Sequence, residues 1–169
     1  WSSAQDVGHK LMVSNLAETV AEEVEEAVAG TEGGAETLPG KGFRIAVVGG
    51  RWDIDDVSAA MLAQLLQVEG ATARAHPHGD LAPARMAALE AGACDCLILC
   101  FLDPAPTRAS LLHVRRLKQA AKGLRVGVVV WQMPAGAVTE EEDRAMPDLS
   151  PEKRKEIEEI GADFVATDF

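Results

Sequence analysis

The segment FRIAVVGG, residues 43–50, is an almost unbroken apolar run that ends in two glycines. A run without alternation is typical of a strand buried on both faces, as in a parallel sheet covered by helices. Four later short runs repeat this unit, with amphipathic stretches between them, at residues 71–76, 94–102, 125–131 and 162–167. The pattern predicts an α/β fold with one doubly wound parallel sheet of five strands.

The chain divides into two parts by composition. Residues 1–42 carry eight acidic side chains against two lysines, and residues 10–29 place small apolar residues at spacings of three and four. That spacing predicts an acidic leader helix, and the glycine-rich stretch 30–42 is typical of a flexible linker. Residues 43–169 are then expected to form a single Rossmann-like (βα)₅ domain, because their length suits one hydrophobic core. No run in the sequence approaches the roughly 20 apolar residues of a membrane span.

Four amphipathic stretches are expected to form helices, at residues 55–69, 81–91, 106–122 and from Ser150–Pro151 onward. Any of the three acids after the first strand can cap the first helix, and its expected inward face is Val57, Met61, Leu65 and Val68. The third helix carries a basic face formed by Arg108, Arg115, Arg116, Lys118 and Lys122. The acidic connection 132–149 is long for this type of fold.

The net charge, the cysteines and the missing catalytic motifs argue against several classes of function. The net charge of −11 makes nucleic acid a poor partner. The three cysteines, Cys94, Cys96 and Cys100, fall in one predicted strand with the same parity, so we expect them to face one side of the sheet as reduced thiols in a cytosolic protein. A Ser/His/Asp order, a Cys/His pair and H-E-x-x-H are all missing from the sequence, so we expect no enzyme.

In sheets of this kind, ligands bind beyond the carboxyl ends of the strands, near the point where the strand order reverses. The candidate cleft there is formed by Gly49, Gly50, Arg51, Trp52, Asp53, Asp55, Ser58, Asp103 and Trp131. The two glycines permit close backbone approach, but G-x-G-x-x-G is absent and the acids that follow would repel a phosphate. A tight turn and a capped helix need the same residues without any ligand.

Two histidines, His76 and His78, flank Pro77 at the end of the second predicted strand. They could bind a metal ion only with a third ligand nearby. Histidines exposed to solvent in a loop are the favoured interpretation.

The closing segment GADFVATDF, residues 161–169, is similar to the last strand of phosphoacceptor receiver domains. That resemblance implies that Asp53, Asp55 and Asp56 could meet Asp103 to bind Mg²⁺. However, Trp131 stands where receivers place a small hydroxyl residue, and Asp168 stands where they place lysine. The resemblance therefore implies a degenerate receiver-like signalling domain, and we expect no phosphorylation of Asp103.

The loop DIDDVS, residues 53–58, resembles the D-x-H-x-x-G loop of cobalamin-binding domains in position and length. In that family the histidine supplies the lower axial ligand of cobalt, whereas here Asp55 and Ser58 replace the histidine and the glycine. A carboxylate is a poor substitute for imidazole on cobalt. The likeness implies a cobalamin-binding-like or flavodoxin-like fold, with the strand order 2-1-3-4-5, and without axial ligation. It leaves a small-molecule binding module, for cobalamin or a nucleotide, as the alternative function.

Three further segments resemble the soluble cytoplasmic domain of bacterial permeases of the autoinducer-2 exporter family, which are PerM-like. They are AAMLAQLLQVEGATARAHPH (59–78), HVRRLKQAAKGLRVGVVVW (113–131) and IGADFVATDF (160–169). The resemblance implies a non-catalytic regulatory or interaction domain at the cytoplasmic face of a membrane transporter, without a cofactor. Its partner would be the membrane-embedded part of the same polypeptide, another protein or a second copy of the chain. The opening on Trp1 is expected of a piece of a longer protein.

Overall fold

The computed structural model describes residues 38–89, 93–132 and 148–167. Five parallel strands form one sheet in the order β2-β1-β3-β4-β5. The strands are β1 (Arg44–Gly49), β2 (Thr72–His76), β3 (Cys96–Phe101), β4 (Arg125–Val130) and β5 (Phe164–Ala166). The predicted fold class and strand order are confirmed. The predicted leader helix and most of the acidic connection, residues 133–147, lie outside the described residues.

Within the described residues, three α-helices connect the strands: α1 (Asp53–Val68), α2 (Arg108–Ala120) and α3 (Pro151–Ile160). Local signals in the sequence explain where α2 and α3 begin. The Thr107 hydroxyl accepts the N–H of Ser110 ahead of α2, and the Ser150 hydroxyl accepts the N–H of Lys153 ahead of α3. Helix α3 ends at Gly161, whose φ of 118° lies in the left-handed region that favours glycine. These helices were predicted to within two residues.

The predicted helix at residues 81–91 is wrong over its described part. Two short 3₁₀ helices, His78–Leu81 and Met86–Leu89, stand there instead. Pro83 accounts for the break at Ala82, because its ring disfavours helical backbone at the residue before it, and Ala82 is extended, with ψ 141°. The crossover from β2 to β3 therefore carries no α-helix in its described part.

Both faces of the sheet are covered. The α1-side core joins strand residues to Ala59, Leu62 and Ala63 of α1, and the α2-side core joins the opposite face to residues of α2 and α3, among them Leu111 and Ile157. The strand residues that the pattern predicts to be buried are each at most 6% exposed: Val47, Ile98, Leu99, Val128 and Val129. The sheet is thus a two-sided core, as the unbroken apolar runs predict.

Helix α1 buries a different face from the predicted one. Its buried residues are Asp55, Ser58, Ala59, Leu62 and Ala63, whereas Leu65 is exposed. The small side chains of this face let the helix lie close to β1, and a polar residue, Asp55, is taken inside with them. Hydrophobicity alone therefore misplaced the inward face by about one residue.

Candidate functional site

The carboxyl edge of the sheet is organised by the side chain of Asp55, which is only 1% exposed. Its Oδ2 accepts the backbone N–H groups of Arg51 and Trp52, at 2.9 and 3.0 Å. Its Oδ1 accepts the N–H of Leu102, beyond β3, at 2.9 Å. The hydroxyl of Ser58 donates to the carbonyl of Asp55 at 2.8 Å. The carboxylate therefore joins the loop after β1 to the loop after β3.

This arrangement does not fit axial ligation of cobalamin by Asp55. Both carboxylate oxygens already accept backbone N–H groups, and the side chain is buried rather than facing a cleft. A carboxylate would also be a weak cobalt ligand. The resemblance to the cobalamin-binding loop accordingly extends to its position and not to its chemistry.

The glycine pair after β1 makes room for the protein's own side chains. A Cβ atom on Gly49 would overlap the carboxylate of Asp56, and one on Gly50 would overlap the ring of Phe101. Close packing of α1 and β3 against this turn accounts for both glycines. The close backbone approach expected for a ligand is used here by internal contacts.

Two other acids of the same loop lie beside a histidine from a different element. Asp56 Oδ1 accepts the backbone N–H of His78 at 2.6 Å, and its Oδ2 lies 2.9 Å from the ring Nδ1 of His78. One ligand atom from each of Asp53, Asp56 and His78 lies within 4.8 Å of the others. A separate pair forms nearby, where His76 Nδ1 lies 3.5 Å from Asp80 Oδ2. The group beside His78 thus offers three potential ligands, but it does not include His76, so the two histidines do not belong to one set of ligands among the described residues.

Asp103 and Trp131 stand apart from that group. Asp103 is exposed, and its Oδ1 accepts the N–H of Ala105 at 2.8 Å, which closes a local turn. The backbone of Trp131 donates to the carbonyl of Phe101 at 2.9 Å, and its indole packs against the α1-side core. Within residues 38–89, 93–132 and 148–167, Asp103 belongs to no group of three potential ligands. Asp168 lies outside those ranges.

An exposed apolar patch lies next to the buried carboxylate. Trp52 is 55% exposed and Ile54 is 42% exposed, at the start of α1. The guanidinium of Arg51 stacks over the Trp52 ring at 4.5 Å from its centroid. We call these three residues the Trp52 patch. A stacked cation of this kind favours one orientation of an exposed indole by about 0.5–1 kcal/mol.

The cysteines are reduced, as predicted, but they do not all face one side. Cys96 and Cys100 pack against the α1-side core, whereas Cys94 precedes β3 and packs against the opposite core. Side chains alternate between the two faces of the sheet only from Cys96, where β3 begins. Cys94 precedes the strand, so its even number does not fix the face on which it lies. Burial raises the pKa of Cys96 to about 11 and that of Cys100 to about 12. These two thiols therefore stay protonated and unreactive at neutral pH.

A groove of about 220 Å³ lies along the described crossover from β2 to β3. Its lining comes from β1, β2 and the segment before β3: Arg44, Ile45, Ala46, Thr72, Arg74, His76, Leu89, Ala93 and Cys94. None of these residues belongs to the cleft expected from the sequence. The groove was missed because a full helix was predicted over this part of the sheet.

No protein-family model, curated protein or solved structure matches the chain. Among the residues that the structure describes, no helix is both long enough and apolar enough to cross a bilayer. The likeness to PerM-like permeases accordingly stays a prediction from sequence.

Proposed function

We propose that the chain is a non-catalytic regulatory or interaction domain that acts on a membrane transporter from the cytoplasmic side. One observation carries the proposal: at the edge where this fold binds ligands, Asp55 and the glycine turn are in contact with the protein's own atoms, while the Trp52 patch beside them stays exposed. Asp55 binds three backbone N–H groups, and Phe101 and Asp56 occupy the space at the glycines. These contacts favour a surface for docking over a cleft for a substrate.

The chemistry of the Trp52 patch suits a protein partner. Tryptophan and arginine are the residues most enriched among those that dominate binding energy at interfaces. Complete burial of a large apolar side chain contributes about 1.5–3 kcal/mol, so Trp52 and Ile54 alone support only a weak contact. A weak contact suffices when the partner is tethered, because a short linker gives an effective concentration in the millimolar range. Attachment to a transporter would supply that tether.

The resemblance of three segments to the cytoplasmic domain of PerM-like permeases supports the same proposal. The three segments are spread over residues 59–169. The resemblance supplies a partner class, the membrane-embedded part of the same polypeptide or of another protein, but no residue roles. The Trp52 patch is the surface that we assign to this contact.

Site-specific photo-crosslinking tests the proposal. The full reading frame that encodes the chain is expressed with p-benzoylphenylalanine in place of Trp52, or in place of Glu159, which is exposed on α3. We expect the probe at position 52 to give adducts with membrane-embedded protein in isolated membranes, and the probe at position 159 to give few. Adding Ile54→Asp should lower the yield at position 52, because a charge then enters the apolar contact.

Equal yields at both positions, or adducts with soluble proteins only, would refute the assignment. The melting temperature of the Ile54→Asp variant serves as the control for folding. Because Ile54 is exposed, that temperature should change little.

Binding of a small anion is a second candidate function, and the groove beside β2 favours it. Arg44 and Arg74 line the groove together with Thr72 and His76, and Arg44 is already paired with Asp95 at 3.2 Å. Among the described residues Arg74 forms no ion pair, so its charge is available to a ligand. A volume of about 220 Å³ is below the 300–1,000 Å³ typical of drug-sized ligands and far too small for cobalamin.

Thermal shift assays with inorganic phosphate and acetate test that candidate. If the groove binds small anions, millimolar phosphate should raise the melting temperature of the wild-type protein, and Arg74→Gln should abolish the rise. Arg115→Gln is the matched control, because Arg115 is an exposed arginine on α2, far along the chain from the groove. A rise that persists in Arg74→Gln, or that disappears in both variants, would rule out the groove.

A further inference from the structure

The geometry points to a binding site for a first-row divalent metal ion, such as Zn²⁺ or Co²⁺, formed by Asp53, Asp56 and His78. The inference goes beyond the docking function and does not depend on it, because the Trp52 patch contributes no ligand to the site. The structure contains three potential ligand atoms within 4.8 Å of one another at this position.

The set is defined by the tertiary structure rather than by a run of acids. Asp53 and Asp56 lie in the first turn of α1, and His78 opens the 3₁₀ helix after β2. Asp55, between the two acids, is withdrawn into the core by its backbone contacts. The fold thus separates one acid from its neighbours and adds an imidazole to the remaining two.

Two of the three ligands are already held at a suitable distance. Asp56 Oδ2 lies 2.9 Å from His78 Nδ1. Two adjacent ligands, each at about 2.1 Å from the metal, are about 3.0 Å apart in octahedral geometry and about 3.4 Å apart in tetrahedral geometry. The bond from the His78 N–H to Asp56 Oδ1, at 2.6 Å, fixes the two residues relative to each other. The ion would replace the hydrogen between Oδ2 and Nδ1, while the neutral imidazole keeps its proton on Nε2.

Asp53 supplies the third ligand at small cost. Its side chain is exposed, so it can rotate toward the other two without breaking a buried contact. Three protein ligands leave positions open for water or another ligand, as in zinc sites that exchange a bound molecule.

The donor set selects the type of ion. Imidazole together with carboxylate suits zinc, iron, cobalt and nickel, whereas Mg²⁺ and Ca²⁺ prefer oxygen alone. Two carboxylates neutralise the charge of a divalent ion, which offsets the unfavourable partial charge at the N-terminus of α1. We therefore expect Co²⁺ and Zn²⁺ to bind more tightly than Mg²⁺.

Titration of the chelator-treated protein with CoCl₂ and ZnCl₂ tests the site, with calorimetry for affinity and visible absorption for the coordination of cobalt. We expect saturable binding that Asp53→Asn and His78→Gln each weaken about tenfold or more. His76→Gln and Asp80→Asn are the matched controls, since they alter the neighbouring histidine and aspartate pair at 3.5 Å. Both controls should leave the affinity unchanged.

Three outcomes would overturn the inference. One is the absence of saturable binding by the wild-type protein at millimolar Co²⁺ or Zn²⁺. Another is an equal loss of affinity in the His78→Gln and His76→Gln variants. The last is intense near-ultraviolet absorption from cobalt bound to thiolate, which would place the ion on cysteine. The exposed position of Asp53 keeps Asp53→Asn folded, and its melting temperature without metal checks this. None of these results bears on crosslinking at Trp52.

Discussion

Replacing Val129 with aspartate is expected to destabilise the domain by more than about 4 kcal/mol. Val129 is 1% exposed in β4, and it packs in the α1-side core between the partners Cys100 and Ala166. A carboxylate there would lose its hydration without gaining a partner. Since domains of this size are stable by about 5–15 kcal/mol, the loss would unfold a large part of the population or all of it. Urea titration followed by circular dichroism measures the change.

Two matched variants separate the effect of the buried charge on stability from the effect of the lost side-chain volume. Val129→Ala removes two methyl groups and should cost about 2 kcal/mol. Ala109→Asp introduces the same charge at an exposed position in the first turn of α2, where it should change stability by no more than about 0.5 kcal/mol. If Val129→Asp and Val129→Ala had the same midpoint, the position of Val129 inside the sheet would be wrong.

Replacing Asp55 with alanine is expected to have the second largest effect, a loss of about 3–5 kcal/mol. The change deprives the N–H groups of Arg51, Trp52 and Leu102 of their acceptor, and hydrogen bonds to a charged group are worth about 1.5–3 kcal/mol each. The expected loss is smaller than the sum over three such hydrogen bonds, because Arg51 and Trp52 are exposed and water can reach part of the loop. Urea titration again gives the free energy of unfolding.

A site-specific measurement distinguishes this mechanism from general loosening. Amide exchange at Leu102 and Trp52 should accelerate in Asp55→Ala more than exchange at the centre of β4. The matched control is Asp53→Ala in metal-free buffer, which removes an exposed acid from the same turn and should cost less than about 1 kcal/mol. Equal losses in the two variants would show that Asp55 acts only through its charge at the helix N-terminus.

The features of this fold that the sequence predicts are those whose signal lies in neighbouring residues. The unbroken run in residues 43–50 implies a strand covered on both faces, and Val47 and Val48 are fully buried. Thr107 and Ser150 mark the starts of α2 and α3, because a hydroxyl acceptor for the first N–H groups acts within three residues. Pro83 is also a local signal, and it breaks the predicted helix at Ala82.

The candidate site could be predicted only in part. Its location followed from the parallel sheet, since the carboxyl ends of β1 and β3 meet at one edge. The different roles of its acids could not be predicted. Three aspartates within four positions have nearly the same local sequence, so no local signal distinguishes them. Their different environments arise from contacts with Leu102, 47 residues away from Asp55, and with His78, 22 residues away from Asp56.

The sequence by itself determined the class of fold and most helix starts, because hydrophobic periodicity and capping act over a few neighbouring residues. The strand order was predicted from the resemblance to known doubly wound folds, and the pairing of distant strands confirms it. Only the tertiary structure decided which face of α1 is buried, that Asp55 is withdrawn into the core, and that Asp56 lies against His78. Packing density and backbone hydrogen bonds between distant segments made those decisions. Burial of the Asp55 carboxylate is favourable only because backbone N–H groups, including that of Leu102 from another loop, donate hydrogen bonds to it.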